Sequence, residues 1–307
     1  MNMKRFTELM VKTVEAAMPN DVKEYATIEI REVVKFNDKK LHAIMLTDPE
    51  RTVMPSIYLE DLYKRYEEGE LMSDLAKYVI EINTMPIPCE IQNVSLDFDE
   101  IKDRLTFKLA EISSNSERLN DLIFKNIGNG FALIPYIVFK RDESGVSMSA
   151  VTKDIAKDFN YDIEETFAMA EKNTLENDEP IMCDILIGIT NGINSENNLL
   201  KHDYGVLDNS MYILSNESGM NGAVSLYIGE TQSQISKVLG ENYYILPSSI
   251  HELMIVPESK SPGIKELRNM VSEVNLSGAV DGNDFLSNRV LFYDKDTGEL
   301  TEPEYPF

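Results

Sequence analysis

The stretch YYILPSSIHELMIVP, Tyr243–Pro257, holds two short apolar runs around one polar turn. Tyr243 to Leu246 and Glu252 to Val256 are rich in aromatic and β-branched residues, which suit a pleated, half-buried surface. Pro247-Ser248-Ser249 between them lacks one backbone donor and carries two hydroxyls able to cap turn groups, so the pair reads as two strands joined by a turn. The same pattern recurs outward from this point. Phe131 to Phe139 (FALIPYIVF) is a nearly continuous apolar run, read as a strand buried on both faces, and its Pro135 argues for an edge position or a bulge. Asp142-Glu143-Ser144-Gly145 turns it into Val146 to Val151. Phe107 to Ile112 is extended, Met211 to Leu214 and Ala223 to Ile228 read as strands around the Glu217–Gly222 turn, and Val290 to Tyr293 is a last strand before Asp296-Thr297-Gly298.

Helices are spaced among these strands. Helical periodicity covers Phe98 to Leu105, Ser116 to Phe124, Asp162 to Asn173, Thr231 to Leu239 and Gly263 to Val274, while the Asn- and Gly-rich residues 190–209 read as a long loop. Strand pairs followed by helices predict an α+β fold with a mixed or mainly antiparallel sheet and helices packed on one face. A smaller helix-hairpin-helix region precedes it. Phe6, Leu9, Met10, Val14 and Ala17 recur at helical intervals, Ala26 to Phe36 and Leu41 to Leu46 form the hairpin, and two helices follow over Leu59 to Tyr66 and Leu71 to Ile82. Pro86 and Pro88 restrict the residues before them, so Thr84-Met85-Pro86-Ile87-Pro88 is the expected boundary between an N-terminal α+β region, 1–86, and a C-terminal α+β domain, 90–307.

Charge is the outstanding compositional feature: 29 Lys and Arg against 53 Asp and Glu give a formal net of −24 over 307 residues. The acid is segmental. Residues 51–100, 151–200 and 251–307 carry net −7, −8 and −6, whereas 1–50 and 101–150 sit at −1 and +1. Such a field repels phosphate backbones and anionic lipid surfaces, so neither direct nucleic-acid binding nor membrane binding is expected, and it suits a protein partner with a basic surface. The N-terminus has no signal-type apolar run, no stretch is long and apolar enough to span a bilayer, and Cys89 and Cys183 lack partner spacing. The expected compartment is the reducing cytoplasm, with both thiols buried and inert.

Chemistry-bearing motifs are sparse. Ile127-Gly128-Asn129-Gly130-Phe131 has two of the three glycines of a dinucleotide fingerprint, but a strand follows where a helix is required, so it reads as a turn and no cofactor is expected. His42, His202 and His251 are isolated, Asp294 to Glu299 has its glycine one place early for a calcium loop and reads as a hairpin turn, and Asp97-x-Asp99-Glu100 reads as a helix N-terminus; no metal site is expected. Cys183 lies in an apolar stretch beside Asp184, an unsuitable neighbour for a thiolate. Lys39-Lys40 and Lys64-Arg65 are isolated basic pairs, and Lys201-His202-Asp203 falls in the Asn-rich loop. The one dense cluster is Ser248, Ser249 and His251 with Glu252. These are the candidate catalytic residues, weighed against a turn whose hydroxyls cap backbone groups.

Three stretches, PSIYLEDLYKRYEEG at 55–69, YYILPSSIHELMIVP at 243–257 and DFLSNRVLFYD at 284–294, with Ala170 to Asn173 as a further point, resemble a family of unknown function from Gram-positive gut anaerobes. That domain is often encountered on mobile elements, and the chain is more distantly similar to a family of bacillus cytosolic proteins. The resemblance spans most of the chain and implies a cytosolic bacterial protein associated with conjugative or phage-derived DNA; it brings no catalytic residues. Three functions follow as expectations: a non-enzymatic accessory factor that binds another protein through an acidic surface; a DNA mimic or anti-defence factor whose carboxylates imitate phosphates; and a hydrolase using Ser248, Ser249 and His251.

Overall fold

A computed structural model describes residues 1–49, 54–86, 97–142, 145–158, 162–201, 207–278 and 280–304. Ile87 and Pro88 of the expected boundary, Cys89, His202, Asp203 and the tip of the 142–145 turn lie outside them. The chain divides into two compact units, Met1–Ser95 and Leu96–Phe307, and the fold is α+β, with every described strand pairing antiparallel.

In the first unit α1 (Met3–Ala17) is capped by the Asn2 side chain, which accepts from the Arg5 N–H. A short α2 (Asn20–Lys23) leads into β1 (Thr27–Val34) and β2 (Lys40–Thr47), with β3 (Ile57–Tyr58) added on the far side of β2. The sheet therefore has three strands among the described residues, where the sequence suggested a bare hairpin. α3 (Leu59–Glu67) and α4 (Met72–Thr84) complete the unit. Phe6, Met10 and Val14 meet Leu62, Leu75 and Val79 in one core, while Leu9, at the same helical spacing, is 37% exposed.

The second unit opens with α5 (Phe98–Ile101), whose N-cap Asp97 accepts from Asp99 N–H. Four strands form its first sheet: β4 (Leu105–Glu111), β5 (Lys125–Gly128), β6 (Phe131–Asp142) and β7 (Gly145–Ala150), in the order β4-β6-β5 with β7 also on β6. Pro135 thus sits in an interior strand, contrary to the edge position its missing N–H suggested. β6 changes partner at this residue: β5 ends opposite Leu133 and β7 begins opposite Tyr136. The Pro135 carbonyl accepts from Val151 N–H on that side, away from β4, so the absent donor falls in the gap between two strands and no ladder bond is lost. The expected bulge lies further along, between Val138 and Lys140.

After α6 (Lys153–Asp158) and α7 (Ile163–Asn177), a second sheet runs β13-β12-β10-β11-β9-β8. Its strands are β8 (Pro180–Asp184), β9 (Tyr212–Asn216), β10 (Tyr243–Leu246), β11 (Leu253–Pro257), β12 (Leu291–Asp294) and β13 (Glu299–Thr301), with the YYIL…LMIVP pair at its centre. On one face Tyr243, Ile245, Ile255 and Leu214 are completely buried. On the other, Leu246 and Val256 pack against Leu267 and Val271 of α10 (Ile264–Leu276).

Strands β5, β8 and β13 and helix α6 are additions to the sequence reading, and three further segments differ from it. Ser116 to Phe124 holds only a 3-10 turn at Arg118–Asp121. Ile185–Asn191 is a helix, α8, capped by the Asp184 carboxylate on the N–H groups of Leu186 and Ile187, and Gly188 lets it lie close to Cys183 and Ile213. Ala223 to Ile228 is no strand: Gly222–Tyr227 is a 3-10 helix entered through left-handed Asn221 (φ 54°). The reason is proximity. A Cβ at Gly222 would lie 2.5 Å from the His251 carbonyl oxygen and 2.8 Å from Asn216 N, so the chain turns against β9 before α9 (Thr231–Leu239) begins.

Candidate functional site

The turn between β10 and β11 brings Ser248, Ser249 and His251 together, with both serines below a tenth exposed. Its polar atoms are directed inward. The Ser249 hydroxyl accepts the His251 backbone N–H at 3.0 Å, the hydroxyl–backbone motif expected of a serine in a tight turn. His251 Nδ1 accepts the Asn221 N–H at 3.1 Å, so in the neutral ring the proton sits on Nε2, facing Asp284 Oδ1 at 3.3 Å. Both ring nitrogens therefore meet Asn221 and Asp284, and neither faces a serine.

Backbone bonds continue the pattern. Ile250 N–H donates to Asp284 O, Leu286 N–H to Ser248 O and Ala223 N–H to Ile250 O, while Ser215 Oγ donates to the His251 carbonyl at 2.7 Å. The turn is a clasp holding residues 284–286 and the 3-10 helix to the end of the sheet. Glu252, its last member, has its carboxyl pushed above the usual range, first by burial and further by the Asp284 carboxylate; His251 and the Ser249 hydroxyl oppose that shift.

The remaining sequence candidates have local roles. Cys183 is fully buried in β8, and burial, with Asp184 second, pushes its thiol up to about 11, far from a reactive thiolate. His42 Nδ1 lies 2.9 Å from Glu60 on an exposed face of the first unit. The Asp294 side chain accepts the N–H groups of Asp296 and Thr297 in the β12–β13 turn. Among the described residues no three His, Cys, Asp or Glu side chains are grouped to hold a metal, and no helix is long and apolar enough to cross a membrane.

A cleft of about 470 Å³ lies elsewhere, between the 3-10 turn Lys102–Arg104, the outer half of β6 and the C-terminal end of α7. Four consecutive residues of β6, Val138 to Arg141, line it. A regular strand turns alternate side chains to opposite faces; the bulge at Val138–Lys140 breaks that alternation and lets successive residues serve one cavity. On the α7 side, the Arg141 guanidinium donates to both oxygens of Asp178 at 2.8 and 2.6 Å, and Asp178 is only 4% exposed. Asn173 donates to the carbonyls of Lys102 and Leu105, tying the helix to the turn. Asp103 and Arg104, on the rim, are exposed and make no ion pair among the described residues. No sequence motif marks this place. Its residues come from three separated stretches, and the only signal was the positive balance of 101–150 in an otherwise acidic chain.

No curated protein and no solved structure matches the chain. The model of one family does, over residues 3–295, and that span takes in the clasp, the cleft and most of both units. The chain belongs to that family, described as a family of unknown function (DUF5688).

Proposed function

We propose that this protein is a non-enzymatic accessory factor of the bacterial cytoplasm that binds another protein. The observation carrying this reading is α8. Leu186, Ile187 and Ile189 are 69%, 40% and 70% exposed on one short helix. Solvent exposure of three large aliphatic side chains within four positions is costly unless a partner covers them. Gly188 faces the sheet and fixes the helix in that orientation. Asp184 at one end and exposed Glu196 in the following turn flank the apolar residues with acid, and the net charge of −24 reinforces it. An apolar centre inside a charged surround has the anatomy of a protein interface, and here it favours a basic partner.

The double variant Leu186→Ser/Ile189→Ser tests this in the full chain, since neither side chain contributes to the core. Captured partners are compared between wild type and variant at about 50 mM and about 500 mM salt. The reading requires a basic protein held by wild type, weakened by salt and lost from the variant. Partners retained equally by the variant would overturn it.

A further inference from the structure

The cleft beside α7 does not belong to that interface, and its lining is chemically specific. Arg104 brings positive charge, Asp103 brings negative charge, and Leu105, Val138 and Phe139 bring apolar surface. Arg141 and Asp178 neutralise each other within the cleft. The end of α7 also reaches it through Asn177 and Asp178, and a helix C-terminus favours a cation. The lining is therefore close to balanced, with both signs present. The field of a chain of net charge −24 disfavours the approach of a net anion, whereas a zwitterion experiences little net force from it. A volume of about 470 Å³ is that of a small-molecule site.

The geometry points to a binding site for a small zwitterion with an apolar side chain, an α-amino acid or short peptide. Its carboxylate lies toward Arg104, its ammonium toward Asp103 and the end of α7, and its side chain against Phe139 and Val138. Two features support a built site over a chance depression. The bulge in β6 falls within the four consecutive residues that line the cleft, a device found where a strand must re-aim its residues. The two walls are tied together by the two-bond Arg141–Asp178 pair, and Asn173 bridges two carbonyls to fix α7.

Calorimetric titration of the full chain tests the inference with three probes: L-phenylalanine, N-acetyl-L-phenylalanine and L-phenylalaninamide. L-phenylalanine should bind, and removing either charge should weaken binding by about tenfold or more. Arg104→Ala should weaken L-phenylalanine by a similar factor and no longer distinguish it from the amide. Asp103→Asn should weaken L-phenylalanine and leave the N-acetyl derivative unchanged. Both residues are exposed, so the variants keep the fold, which an unchanged melting temperature verifies. Equal binding of the N-acetyl derivative by wild type would overturn the zwitterion assignment in favour of a plain anion site. Absence of heat from all three probes would overturn the site itself. Neither result bears on α8, whose test reads a captured protein.

Discussion

The β10–β11 clasp and the cleft beside α7 both gather hydroxyl, amide and charged groups, but they dispose of them differently. In the clasp, Ser249 Oγ, both nitrogens of His251 and the carbonyls of Ser248, Ile250 and His251 all meet partners from the same chain. In the cleft the Arg141–Asp178 ion pair and the Asn173 amide bridge secure the walls, and Asp103 and Arg104 are exposed at the rim. Density of polar residues is thus a poor guide to a site; hydrogen-bonding and charge capacity left unspent is a better one. A group already satisfied by the fold must give up a bond before it can act on a ligand.

The contrast can be broken first at its structural end. Gly222→Ala forces a Cβ into the backbone of His251 and Asn216, atoms that cannot swing aside, and should cost about 3 kcal/mol or more, read as a fall in the denaturant midpoint. A cost below about 1 kcal/mol would show that the clasp is loose. Arg141→Ala leaves the Asp178 carboxylate buried without its partner. Because Arg141 is itself 39% exposed, the expected cost is about 1–3 kcal/mol, with the cleft wall loosened as well.

The smallest effect is one of pH. Glu252 has a raised pKa in the folded chain, so the folded state holds this proton more tightly than the unfolded one. Its contribution is most favourable below the ordinary value of 4.5 and is lost as pH rises through the folded value. Glu252→Gln should therefore be more stable than wild type near neutral pH, with the gap closing as pH falls to about 4, measured by denaturation across that range. A gap that widened on acidification would contradict the assigned cause, burial of the carboxyl.

How far the sequence led depends on the range over which each feature is encoded. Tyr243–Leu246 and Thr231–Leu239 are legible to the residue, because aromatic and β-branched content and helical spacing are local and the turn at Pro247 and the stop at Gly240 are marked by residue type. Gly222–Tyr227 was misread because a short apolar run has no period that separates strand from 3-10 turn, and the contact forcing the turn comes from His251, some thirty positions away. Ile185–Asn191 was passed over for the related reason that its apolar residues do not face the core. Pro135 pointed to an edge position, but the strand is interior: its missing donor falls in the gap between β5 and β7, and that gap depends on where β5 stops and β7 starts. The cleft was invisible: residues 103–104, 138–141 and 173–178 meet only through tertiary structure.

The division between a structural clasp and a binding cleft is tested most directly by one thermal-melting comparison of wild type, His251→Ala and Arg104→Ala, each with and without L-phenylalanine. His251→Ala removes the acceptor of the Asn221 N–H and should lower the melting temperature by about 2–8 °C while preserving the rise that ligand produces. Arg104→Ala should leave the ligand-free melting temperature within about 2 °C of wild type and lose most of that rise. The reverse pattern, a ligand response abolished by His251→Ala and untouched by Arg104→Ala, would contradict the account.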